Sequence, residues 1–109
     1  MKITGHKIDA VHVNHRGDWV FIHVETDAGI TGIGEMRSGR NYEPQLASAR
    51  QMLKSIEGRD PREIQSIYQD LHKAAKTKAD GFAISGIEPA LWDILGKSLD
   101  TPVFRLLGG

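Results

Sequence analysis

Two polar segments of this sequence carry side chains suited to binding a small hydroxylated acid. The first, residues 14–18, is NHRGD, and the second, residues 37–42, is RSGRNY. Guanidinium groups recognise carboxylates through paired hydrogen bonds, an asparagine both donates and accepts, and aromatic rings wall a cavity and exclude water. The candidate binding residues of these types, in and beside the two segments, are His15, Arg16, Trp19, Arg37, Arg40, Asn41 and Tyr42.

Surface solvation is the competing interpretation of these side chains. Each arginine taken singly is explained as well by a solvated loop, so the prediction rests on residues 37–42 as a set. Gly17 and Gly39 give the two segments conformational freedom, which predicts a lid that orders when a ligand binds.

The remaining carboxylates and imidazoles are not spaced as a catalytic or metal centre. The five histidines show neither the i, i+4 helical pairing nor the accompanying carboxylates of a zinc site. Asp27 lies in a predicted turn, where aspartate bonds its own backbone, and Glu25 lies at a strand end facing water. Glu35 precedes residues 37–42 and is interpreted as orienting them. We therefore predict no catalytic residue and no metal ligand in this chain.

Length and charge limit the function classes further. A chain of 109 residues with 39% hydrophobic residues supports one core, and 14 basic residues balance 14 acidic ones, so no net field attracts nucleic acid or an anionic membrane. The N-terminus lacks the apolar region of a signal peptide, and no apolar run approaches the roughly 20 residues that span a bilayer. Cysteine is absent, which fits a reducing compartment, so we expect a cytoplasmic location.

The first third of the sequence has the two-residue periodicity of β-strands. Val20, Ile22 and Val24 alternate with more polar residues, and polar segments containing glycine separate the three apolar stretches. Gly32 and Gly34 either mark a bulge or allow another backbone to approach closely. We predict an antiparallel meander with strands at about residues 2–13, 19–26 and 30–36.

Helical periodicity replaces the strand pattern after Pro44. Asp60-Pro61-Arg62-Glu63 has the order of an N-cap, a first-turn proline and a capping-box glutamate. Ser85 and Glu88 suggest a second capping box, which places Pro89 in a first turn where its missing amide costs little. The predicted helices lie at about residues 44–56, 61–73 and 85–99, with a basic loop before the third. The fold class is therefore α+β, a three-stranded meander followed by a three-helix unit in one domain of residues 1–109.

Three motifs resemble the mandelate racemase and muconate lactonising group of the enolase superfamily. AISGIEPALWDILGK at residues 83–97, followed by Pro102 and the ending LLGG, is similar to the signature helix of that group. VETDAGITGIGE at residues 24–35 is similar to its strand, turn and strand ending in Gly-x-Gly-Glu, and GRDP at residues 58–61 follows in the same order. The signature helix itself is interpreted as structural, because its Asp93 and Lys97 predict only an i, i+4 ion pair of about 0.2–0.5 kcal/mol.

The resemblance implies an N-terminal capping domain without the catalytic barrel. Enzymes of that group abstract a proton next to a carboxylate with a lysine or histidine base, and Mg²⁺ stabilises the enediolate. The base and the metal ligands lie on barrel strands, so Mg²⁺ is expected in the full-length enzyme and not in this chain. Residues 14–18 and 37–42 correspond to the two specificity loops. The implied partners are a carboxylate substrate such as an acid sugar, the C-terminal barrel domain and further copies of the subunit.

The implied reaction is that of a lyase or isomerase: an acid-sugar dehydratase, or a related racemase or cycloisomerase. The alternative is a stand-alone binding or oligomerisation module without catalytic activity. The two hypotheses differ in the exposure of five apolar residues near the C-terminus. A capping domain leaves several of them accessible and clustered, whereas a stand-alone module buries all of them. The five residues are Trp92, Leu95, Val103, Phe104 and Leu107.

Overall fold

The computed structural model describes residues 1–109 as three strands followed by four helices. The strands form one antiparallel sheet in the order β1-β2-β3, which confirms the predicted α+β class and the meander, and the chain contains no barrel. No helix is long and apolar enough to cross a membrane. The elements are β1 (Ile3–Asn14), β2 (Gly17–Thr26), β3 (Thr31–Met36), α1 (Glu43–Ser55), α2 (Ile64–Ala74), α3 (Lys78–Ser98) and α4 (Val103–Leu106).

The core lies between one face of the sheet and the helices. Val20, Ile22 and Val24 of β2 point to the same face and are fully buried, as strand alternation requires. They belong to one cluster of 19 buried apolar residues drawn from all three strands and from α1, α2 and α3. This single core supports the sheet on which both polar segments are carried.

Two glycines of β3 allow α3 to pack directly on the strand backbone. A Cβ atom on Gly32 would lie 2.1 Å from the carbonyl oxygen of Ala90, and one on Gly34 would lie 2.0 Å from that of Gly86. Of the two interpretations of these glycines, close approach of a second backbone accounts for both positions. The Gly-x-Gly motif therefore fixes the distance between β3 and α3.

The predicted start of the third helix at Ser85 is wrong, because α3 begins at Lys78 and runs unbroken past Pro89. Thr77 and Asp80 form the capping box that starts the helix, whereas Ser85 and Glu88 lie in its interior. Residues 75–77 are all that remains of the predicted basic loop. Pro89 leaves the carbonyl of Ser85 without its helical partner, and both residues are exposed, so water can satisfy that carbonyl.

The predicted start of the second helix at Pro61 is also wrong, because α2 begins at Ile64. The carboxylate of Asp60 accepts the backbone N–H of Arg62 at 3.0 Å and its guanidinium at 2.7 Å, and the Glu63 amide donates to the Asp60 carbonyl. These bonds build a turn over residues 60–63 and lower the pKa of Asp60 to about 2. Asp60 thus stabilises the turn and does not cap the helix.

Side chains of α3 occupy the open edge of β3. Asp93 Oδ2 accepts the Ile33 N–H at 2.9 Å, and Lys97 Nζ donates to the Thr31 carbonyl at 2.7 Å. Asp93 and Lys97 also form the predicted ion pair, at 2.9 Å. The pair therefore takes the place of a fourth strand at two positions of the edge. Unpaired backbone groups at those positions would otherwise be free to pair with another chain.

Substituting Asp93 with alanine should destabilise the chain and expose this edge. We expect the free energy of unfolding to fall by about 1–2 kcal/mol, because the Ile33 amide and Lys97 each lose a partner. Asp93→Asn keeps an acceptor for the amide and loses the charge, so it should cost less. Urea unfolding gives the energies, and light scattering reports self-association. Equal stability of both variants and the parent would show that the edge contact is not stabilising.

Candidate functional site

The two polar segments predicted to bind substrate lie side by side at one end of the sheet. His15 and Arg16 form the turn between β1 and β2, and residues 37–42 connect β3 to α1. A Cβ atom on Gly17 would lie 3.3 Å from the carbonyl oxygen of Gly39, so the two backbones are in contact. We call residues 14–18 the hairpin loop and residues 37–42 the lid loop.

Asp18 joins the two loops, and the sequence analysis did not identify it. Its backbone carbonyl accepts the Ser38 hydroxyl at 2.7 Å, and its carboxylate accepts the hydroxyl of Tyr42. On the hairpin side, His12 Nδ1 lies 2.9 Å from the same carboxylate. Gln45 adds a bond from its side-chain amide to the Ser38 carbonyl at 3.2 Å.

The contacts of Asp18 shift the acidities of both partners. The hydrogen bond from Tyr42, followed by that from His12, lowers the pKa of Asp18 below its ordinary value. The same bond raises the pKa of Tyr42, because the phenol next to a carboxylate resists ionisation. At neutral pH the pair is therefore a carboxylate accepting from a neutral phenol.

A cavity of about 520 Å³, which we call the loop cavity, opens between the two loops and the N-terminal half of α3. Trp19, with 54% of its surface exposed, forms one wall, and Arg37 lies on the lid-loop side with its guanidinium 5.7 Å from the centre of the Phe82 ring. Ser85 contributes a hydroxyl, which donates to the Phe82 carbonyl at 2.6 Å. The lining residues are Asp18, Trp19, Glu35, Met36, Arg37, Ser38, Gly39 and Ser85.

The other predicted site residues differ in their placement. Arg16 lines a smaller cavity of about 240 Å³ on the far side of Trp19. His15, Arg40 and Asn41 are exposed and line neither cavity. Tyr42 is half-buried, and its hydroxyl is bonded to Asp18, so it holds the loops together and does not wall either cavity.

An apolar groove of about 600 Å³ lies farther along the same side of α3. Its lining residues are Ile33, Glu88, Pro89, Trp92, Asp93, Val103 and Leu107. None of the five apolar residues used to separate the two hypotheses is buried, and Phe104 and Leu107 are 57% and 64% exposed. Trp92, Val103 and Leu107 line the groove together, whereas Leu95 and Phe104 do not line it, so three of the five form the accessible cluster expected of a capping domain. We call the groove with the seven lining residues given above the C-terminal groove.

Comparison with known protein families shows which family the chain belongs to. The profile of the mandelate racemase / muconate lactonizing enzyme N-terminal domain matches residues 3–108. The chain belongs to this family. Over the whole chain it is 41% identical to a D-galactonate dehydratase from Xanthomonas euvesicatoria and 39% identical to one from Pectobacterium atrosepticum. It spans 28% of the length of each.

Solved structures of enolase-superfamily proteins have the same fold. A member of the superfamily from Salmonella Typhimurium superposes with a TM-score of 0.91 at 30% identity, over 99% of this chain and 29% of that one. A mandelate racemase/muconate lactonizing enzyme from Jannaschia sp. gives 0.89 at 31% identity, over 100% and 31%. An enolase from Agrobacterium radiobacter bound to L-malate gives 0.89 at 26%, over 100% and 28%.

The residues of this N-terminal domain do not fit a Mg²⁺ site. No group of three histidine, aspartate or glutamate side chains converges anywhere in the chain. The Asp18 carboxylate already accepts from Tyr42 and faces His12, and Glu35 is an exposed lining residue of the loop cavity. No chemical step is therefore assigned to a metal held by this chain.

Proposed function

We propose that this chain is the substrate-selecting lid of a Mg²⁺-dependent enzyme that removes a proton next to a carboxylate. The reaction proposed is dehydration of an acid sugar, since relatives of 41% and 39% identity are named D-galactonate dehydratases. A related racemase or cycloisomerase would use a similar lid. The base and the metal are supplied by the barrel domain, where such chemistry is concentrated at the C-terminal ends of the strands.

The loop cavity is the observation that carries this proposal. It places a guanidinium, two carboxylates, two hydroxyls and an indole around one opening, so that a hydroxylated acid finds both charged and apolar contacts. Arg37 is suited to the substrate carboxylate because its fork pairs with two oxygens. Trp19 is suited to excluding water from the reacting end.

The C-terminal groove favours the lid over a stand-alone module. A chain that functioned alone would leave the groove open to water, with Leu107 of its lining 64% exposed. We propose that the barrel domain covers this surface and that subunits of the whole enzyme associate further. A cytoplasmic location belongs to the same proposal, and the absence of cysteine fits it.

The chain by itself should neither bind Mg²⁺ specifically nor dehydrate D-galactonate. The reason is that its carboxylates do not converge on a common point, so no side chain lining the loop cavity can act as a base beside a metal ion held by this chain. Calorimetric titration with MgCl₂ at physiological salt, combined with an assay for the keto product, measures both. Stoichiometric binding that survives salt, or turnover above the uncatalysed rate, would place chemistry in this domain and contradict the division of labour proposed here.

A further inference from the structure

We propose that Asp18 is a positioning residue that fixes the lid loop against the hairpin loop, so that the wall of the loop cavity is formed before any ligand binds. Residues 17 and 18 make three separate contacts with the lid loop. The Gly17 backbone packs on Gly39, the Asp18 carbonyl accepts from Ser38, and the Asp18 carboxylate accepts from Tyr42. All three cross between segments about 20 residues apart in the chain.

The residues that make these contacts are next in the chain to residues that line the loop cavity. Trp19 follows Asp18 directly, and Arg37 precedes Ser38 directly, and both are lining residues. Holding Asp18 and Ser38 together therefore fixes the backbones on which the indole and the guanidinium are carried. Gly17 lacks the Cβ atom that would lie 3.3 Å from the Gly39 carbonyl oxygen, whereas a Cβ atom on Gly39 would meet nothing within 4 Å and glycine is favoured there by its positive φ of 71°.

Hydrogen bonds from outside the two loops also support the contact of Asp18 with Tyr42. Ser38 is held by Gln45 of α1 through its carbonyl, and His12 of β1 faces the Asp18 carboxylate at 2.9 Å. The hydrogen bonds run from β1 through Asp18 and the lid loop to α1, so displacing the lid loop breaks several bonds at once. Charge-assisted bonds of this kind are stronger than neutral ones. The charged or titratable groups around the Asp18 carboxylate are His12, Arg16, Glu35, Arg37, Tyr42 and Glu43.

The test compares Asp18→Ala, Asp18→Asn and Tyr42→Phe in this chain. Cleavage by trypsin after Arg40 should quicken by about tenfold in Asp18→Ala and in Tyr42→Phe, because the lid loop then opens more often to the protease. Cleavage after Lys97 in α3 should not change. Asp18→Asn keeps an acceptor and should be intermediate. The double variant Asp18→Ala with Tyr42→Phe should be cleaved no faster than Asp18→Ala alone, since both changes remove the same bond.

Titration of the Tyr42 phenol gives an independent measurement that general loosening would not mimic. In the parent chain, NMR of the tyrosine ring carbon should show a pKa above the ordinary value of about 10, and in Asp18→Asn it should return toward that value. Asp9→Asn is the matched control: its carboxylate pairs with His23 at 3.1 Å on the same hairpin, away from the lid loop. It should leave both the tryptic cleavage after Arg40 and the Tyr42 titration unchanged.

Unchanged cleavage after Arg40 in Asp18→Asn and in Tyr42→Phe, together with an unchanged Tyr42 titration in Asp18→Asn, would overturn the proposal. If Asp18→Ala unfolds the whole chain, the two milder variants still decide, since one keeps the shape of the carboxylate and the other removes a single hydroxyl. A contact between the wall of the loop cavity and a substrate rests on the proposed function, whereas the attachment of the lid loop to Asp18 does not. No substrate and no barrel enter these measurements, so a failed lid function and a failed coupling give different results.

Discussion

Replacing Gly34 with alanine should remove most of the stability of this chain. The new methyl group would lie 2.0 Å from the carbonyl oxygen of Gly86 and 3.0 Å from the amide nitrogen of Ala90, both backbone atoms of α3. Neither atom can rotate away, so the whole helix must shift on the sheet. We expect the free energy of unfolding to fall by 3 kcal/mol or more, on the order of the largest overpacking effects.

Gly81→Ala is the matched control for this substitution. Gly81 also belongs to α3, but a Cβ atom there meets no other atom within 4 Å. Because alanine is the better helix former, this variant should gain about 0.5–1 kcal/mol. Guanidinium unfolding followed by far-UV circular dichroism measures both changes. A Gly34→Ala chain as stable as the parent would show that β3 and α3 are not in the close contact described above.

Placing a charge in the C-terminal groove should abolish docking of the barrel while leaving the isolated domain intact. Leu107 is 64% exposed, so Leu107→Asp should change the free energy of unfolding of the chain by no more than about 0.5 kcal/mol. In an assembled enzyme the same carboxylate would be buried without a partner. That costs several kcal/mol, and docking should weaken by roughly a thousandfold.

The measurement needs a chimera in which this chain replaces the corresponding part of the 41%-identical D-galactonate dehydratase. Thermal unfolding of the chimera should show one cooperative transition, and Leu107→Asp should split it into two. Leu99→Asp is the control, because Leu99 is 55% exposed but does not line the C-terminal groove. If Leu107→Asp and Leu99→Asp chimeras melt alike, the groove is not the surface that meets the barrel.

Local periodicity predicted β2, because that strand alternates buried apolar residues with more exposed ones, whereas β3 buries Gly32 and Gly34 and exposes Ile33. Val20, Ile22 and Val24 are buried as their alternation indicates. The helix starts were harder, since several segments had the residue order of a cap. The capping box of Thr77 and Asp80 was missed, because the basic segment ending at Gly81 was interpreted as a loop and Pro89 as a first-turn residue. The packing of α3 on the sheet outweighed both signals.

The loop site could be predicted only in part from the sequence. The hairpin loop and the lid loop were recognised by composition and by resemblance, and the structure brings them together. Asp18 was missed because its partner Tyr42 lies 24 residues away and only the register of the strands brings them together. Likewise, Asp93 and Lys97 were predicted only to form a helical ion pair, since the backbone groups of β3 that they also bind are 60 and 66 residues distant.

Substrate kinetics of the chimera test the proposed lid most directly. The chimera should dehydrate an acid sugar, and Arg37→Ala should raise its KM by about 10–100-fold with a smaller change in kcat, as expected for losing a paired bond to a substrate carboxylate. Arg50→Ala, an exposed arginine of α1 outside the loop cavity, should leave KM unchanged. A folded chimera without dehydratase activity, or an active one in which Arg37→Ala leaves KM unaltered, would contradict the assignment of substrate selection to this domain.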